Sequence, residues 1–76
     1  MRYIKIDSYF VEEGRVYFCD LYINPFQIES FHETEISYTT DVGEAGLRGT
    51  THIRTKSGEE HDIDMPIEQF AMLMEA

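Results

Sequence analysis

The reading of the fold turns on Val16-Tyr17-Phe18-Cys19-Asp20-Leu21-Tyr22-Ile23-Asn24-Pro25-Phe26-Gln27-Ile28-Glu29-Ser30-Phe31. Aromatic and branched side chains dominate its first half, and these favour extended backbone. In a strand, Val16 and Phe18 share one face with Asp20 and Tyr22, while Tyr17, Cys19, Leu21 and Ile23 share the other. Both faces are largely apolar, so residues 16–23 are expected to form a central strand covered on each side, or one with a face kept for a partner. Asn24-Pro25 ends it, because proline has no N–H for the ladder and asparagine favours turns. One helical turn at residues 26–28 is expected before Glu29–Tyr38 extends again, with Ile28, Ser30 and His32 on one face.

Upstream, residues 2–11 alternate with period two, placing Ile4, Ile6, Ser8 and Phe10 opposite Lys5, Asp7 and Tyr9. Glu12-Glu13-Gly14-Arg15 then supplies a turn that makes an antiparallel hairpin with residues 16–23. Downstream, residues 39–50 carry Gly43, Gly46 and Gly49 with little apolar content, and read as a mobile loop with Leu47 and Arg48 at its tip. Residues 51–56 read as a strand, Ser57-Gly58 as a two-residue hairpin turn, and Glu59–Met65 as the returning strand. Pro66 in the first turn and Ile67, Phe70, Ala71 and Met74 at helical spacing predict a C-terminal helix that frays after about residue 74. The expected fold is α+β: a single domain over 1–76, with a five-stranded, mostly antiparallel sheet or partial barrel and one C-terminal helix.

Composition limits the function. The chain has 76 residues, 15 acidic against 6 basic, and a formal net charge of -9. Direct nucleic-acid binding is disfavoured, since it needs a surplus of Lys and Arg. No apolar run approaches the ~20 residues a membrane-spanning helix requires. The first residues have no apolar core of a signal peptide, and a lone cysteine fits a reducing cytoplasm. Cys19 excludes an internal disulfide, and so small a core gains from tight packing or from association with a second copy.

Residues that could carry chemistry are few. The Gly43–Gly49 run has no Gly-Lys-Ser/Thr ending and precedes a strand, so it does not fit a phosphate cradle. Glu60, Asp62 and Asp64 fall on one strand face with His61 on the other, a pattern expected of the solvated face of an edge strand. His32, His52 and His61 form a zinc set only if three strands bring them together. Cys19, mid-strand, is expected to be a small buried hydrophobe rather than a nucleophile. No metal, cofactor or catalytic set is implied, and the chain is read as a non-enzyme.

The segments Leu21–Ser30, Thr51–Ile63 and Pro66–Leu73 together resemble small flagellar and swarming-motility proteins of the FlbD/SwrD type and their phage-encoded relatives. The likeness rests on the Ile-Asn-Pro-x-x-Ile segment, the Ile-x-Thr-x-Ser-Gly hairpin and the short acidic-led helix, and it covers roughly residues 20–73. It implies an accessory, non-enzymatic role in bacteria or phage and supplies no catalytic residues. The expected function is a small acidic module that regulates a protein partner through Tyr17, Tyr22, Phe26, Leu47 and Arg48. One alternative is a phage-type inhibitor that occupies a basic nucleic-acid-binding groove of a host protein. The other is a structural homo-oligomer with residues 16–23 as its seam.

Overall fold

The computed structural model describes residues 3–39 and 42–75. Its elements are β1 (Ile4–Glu12), β2 (Arg15–Ile23), a 3₁₀ turn (Pro25–Gln27), β3 (Ile28–Thr39), β4 (Ala45–Thr55), β5 (Glu60–Ile63) and α1 (Ile67–Glu75). The strands form one antiparallel sheet in the order β2-β1-β5-β4-β3, so the fold is α+β with five strands and a C-terminal helix.

Local chemistry explains the connections. Glu13 and Gly14 both hold positive φ (52° and 77°), the mirror-image turn whose twist matches that of the flanking strands. The Asn24 side-chain carbonyl accepts from the Phe26 N–H at 3.0 Å, which caps the 3₁₀ turn where Pro25 stops the ladder. The β4–β5 connection spans residues 56–59 rather than two residues: the Thr55 N–H donates to the Glu59 carbonyl at 2.8 Å, and Gly58 takes φ 93°. The Pro66 carbonyl accepts from the Phe70 N–H, so Pro66 sits at the mouth of α1, and the helix runs to Glu75.

Three expectations about strand placement need correction. Residues 16–23 form an edge strand and not a central one, because β5 inserts between β1 and β4. The glycine-bearing run 43–49 is largely strand: Ala45–Gly49 continue β4 in register with Glu35–Thr39, and Leu47 and Arg48 lie on that strand rather than at a loop tip. Of the expected loop, Thr40 and Asp41 lie outside the described residues. Glu60 and Asp62 belong to a central strand, not to an edge.

Directly paired residues share a face, so the registers sort the side chains. One face carries Ile4, Ile6, Ser8, Leu21, Ile23, Ile63, Thr51, Ile53 and Phe31. A bulge at Glu29 also brings Ile28 to this face, away from Ser30 and His32 with which simple alternation groups it. Here α1 docks. Phe70 is fully buried against Ile6, Ile23, Ile53 and Ile63, and meets the Phe31 ring edge-on at a centroid distance of 5.1 Å. The other face, with Tyr9, Phe18, Asp62, His52, Thr50, Thr34 and Ile36, has no helix over it among the described residues.

Candidate functional site

Sheet twist lifts one pair of diagonally opposite corners toward one face and the other pair toward the other face. On the helix face the raised corners help enclose the core. On the open face the β1–β2 tip and the distal half of the β3–β4 hairpin approach each other. Between them lies a cleft of about 620 Å³ lined by Arg15, Val16, Phe18, Ile36 and Arg48, with Ser37 and Thr39 at its margin.

Next to the cleft, the open face is ordered by hydroxyl groups. Thr50 is fully buried, and its hydroxyl lies 2.7 Å from both the Tyr9 and the Thr34 hydroxyls. The three form a chain in which each oxygen has a partner, as burial of polar groups requires. Tyr9 and Ile36 are each only 7% exposed. The alternation 9, 34, 36, 50 on three strands therefore builds a second, smaller core beneath the open face.

The walls are different. Phe18 remains 55% exposed, and the Arg48 guanidinium carbon sits 5.9 Å from its ring centroid while a guanidinium nitrogen meets Asp64 at 2.9 Å. An arginine held over an aromatic ring by a carboxylate is fixed in direction and still half in solvent.

Beside the cleft, His52 is bound through both ring nitrogens, to Asp62 at 2.8 Å and Glu60 at 3.1 Å. The Asp62 hydrogen bond, then the Glu60 bond, raises the His52 pKa above its ordinary value, and the same contact lowers that of Glu60. The His32 ring lies 5.0 Å from that of His52, whereas His61, paired with Ile53, is on the helix face. Two of the three histidines converge and the third does not. Among the described residues, no group of three or more His, Cys, Asp and Glu is placed to hold a metal ion.

The five contact residues expected from sequence are not gathered into one patch. Arg48 lines the cleft. Tyr17 stacks on Phe10 at 5.2 Å on the helix face beyond the core, and Leu47 is exposed on that same face. Tyr22 is exposed on the open face toward the Asn24 end of β2, and Phe26 projects from the 3₁₀ turn. The residues missed were Arg15, Val16, Phe18 and Ile36. Val16 and Phe18 share a face within the opening stretch, which is a signal for them, but pairing with Ile36 depends on twist. Cys19 is exposed, not buried, because its strand is at the edge; its Sγ lies 3.0 Å from the Ser8 hydroxyl.

No family model, curated protein or solved structure matches the chain. Among the described residues, no helix is long and apolar enough to cross a membrane.

Proposed function

We propose that the chain is a small acidic, non-enzymatic interaction module that binds and regulates a protein partner through the open face of its sheet. One observation carries the reading. A single helix covers one face, while the other keeps a cleft with buried Ile36 in its lining and an exposed Phe18–Arg48 wall. Exposed aromatic and arginine side chains at a cleft are among the groups that contribute most to protein–protein affinity. Arg15 and Arg48 at the cleft suit an apolar partner segment that bears a carboxylate.

The polar groups nearby support a binding role over catalysis. The hydroxyls of Tyr9, Thr34 and Thr50 bond one another, and both His52 nitrogens are engaged. An accessory role in a bacterial or phage cytoplasm, as the likeness to small motility proteins implies, fits this reading. Carboxylates occur on both faces, Glu33 and Glu35 on the helix side, and Asp7, Asp20, Glu60 and Asp62 on the open side. That distribution favours the cleft over a single acidic face that mimics nucleic acid.

The test is a comparative capture from bacterial lysate with wild type, Phe18→Ser, Arg48→Ala and, on the outer side of the helix, Met72→Ser. A protein retained by wild type and Met72→Ser, and reduced at least about tenfold by both cleft variants, is the expected result, since loss of a central contact costs roughly 1.4 kcal/mol or more. Equal retention by all four variants contradicts the reading.

A further inference from the structure

The sheet has two free edges, β2 and β3, and the sequence treats them unequally. Exposed edges invite pairing with another chain, and proteins blunt them with charge, bulges or proline. β3 carries Glu29, Glu33 and Glu35 and a bulge at its start. β2 has none of these devices. Its nine residues pair with β1 in unbroken register, contain no proline and bear only Arg15 and Asp20 as charges. Asp20 is met by Lys5 at 3.7 Å, and Arg48 lies over Phe18. In a chain of net charge -9, this edge is locally neutral.

We propose that the β2 edge pairs antiparallel with β2 of a second copy, on a two-fold axis at Cys19. Three observations fix the register. The Glu13-Gly14 turn makes Glu12 and Arg15 a hydrogen-bonded pair, so by alternation Val16, Phe18, Asp20 and Tyr22 direct their N–H and C=O groups outward. The same alternation on β1 turns Asp7 away from β2, in agreement with its carbonyl accepting from the Asp64 N–H at 2.8 Å. Cys19 is the midpoint of Arg15–Ile23, so an axis there pairs the whole strand with itself.

The resulting cross-strand neighbours are Val16 with Tyr22, Tyr17 with Leu21, and Phe18 with Asp20, each from opposite copies. No like charges meet. An axis at Asp20 instead sets the two Asp20 side chains against each other, a destabilising arrangement. Self-pairing of β3 centred near Thr34 likewise sets Glu33 against Glu35. A two-fold at Cys19 closes the association at a dimer and leaves no unguarded edge, because β3 then forms both outer borders.

This dimer is independent of the cleft partner, and it is measured on the purified chain alone. Sedimentation equilibrium of the reduced protein over about 10 μM to 1 mM is expected to show a monomer–dimer equilibrium. Cys19 pairs across the axis at a non-hydrogen-bonded position, where Cα atoms lie about 4.5 Å apart, within disulfide range. Diamide, which takes up the two thiol hydrogens, is therefore expected to convert the dimer to a disulfide-linked form that Cys19→Ser does not give. Phe18→Asp and Phe18→Lys separate pairing from folding. The first faces Asp20 of the other copy with like charge and the second with opposite charge. The expected dimer dissociation constants differ by about tenfold, Phe18→Asp being the weaker. Within one chain Arg48 favours the aspartate variant and Asp20 the lysine variant, so both dimer constants are measured on samples whose circular dichroism shows the native fold. A monomer throughout the range, a dimer that diamide does not link, or equal constants for the two variants overturns the proposal.

Discussion

Replacing Phe70 by alanine tests how one nine-residue helix holds the fold. An isolated helix of that length does not persist in water, so α1 exists because its apolar side is docked. Phe70 is fully buried, in contact with the isoleucine cluster and edge-on to Phe31. Truncating a buried phenylalanine costs about 3–5 kcal/mol, in which loss of the aromatic pair accounts for roughly 1 kcal/mol. A chain of this size has a total stability of only about 4–11 kcal/mol. Phe70→Ala is thus expected to remove about half of it and to lower Tm by roughly 15–30 °C. Thermal and urea unfolding followed by far-ultraviolet circular dichroism measure both. Met72, on the outer side of the helix and 72% exposed, provides the comparison: Met72→Ala is expected to change stability by less than about 0.5 kcal/mol. A cost below about 1 kcal/mol at Phe70 refutes the docking of α1 as described.

Two further outcomes follow from the open face. Tyr9→Phe removes the hydroxyl that meets Thr50 beneath the open face and is expected to cost about 1–2 kcal/mol in urea unfolding, with the native far-ultraviolet spectrum kept. The His52 cluster gives a pH signature. Its raised pKa means that its contribution is complete below the ordinary histidine value of 6.5 and is lost as pH rises through the folded value. The lowered pKa of Glu60 adds stability above the ordinary 4.5 that is lost as pH falls through its folded value. Wild type is expected to be most favoured over His52→Gln between about pH 4.5 and 6.5, and the difference in Tm to shrink toward pH 8.5. A difference that does not vary with pH contradicts the ion pairing.

Much of this architecture is legible in the residues. Alternation in Ile4–Val11, the Glu13-Gly14 turn, the Asn24-Pro25 stop and the helical spacing from Ile67 each determine one element, because a local pattern and a local geometry coincide. Strand order was not legible. β5 has four residues and pairs with β1 through only Ser8 and Tyr9, yet that insertion moves β2 from the centre to the edge and exposes Cys19. The two apolar faces of β2 misled for the same reason. Leu21 and Ile23 serve the helix-covered core, while Val16 and Phe18 serve the cleft, so one strand contributes to both sides of a twisted sheet. In Ala45–Gly49, glycines conceal a strand that the long ladder to β3 enforces. The cleft joins residues 15–18 to 36–39 and 48, a meeting that depends on twist and lies outside any local pattern.

The most direct test of the open face as the functional one is an NMR titration of the isotope-labelled chain with a captured partner. Backbone shifts at residues 14–18, 36–39 and 48, with α1 unmoved, are the predicted result. Shifts confined to α1 and the helix-covered face contradict the account.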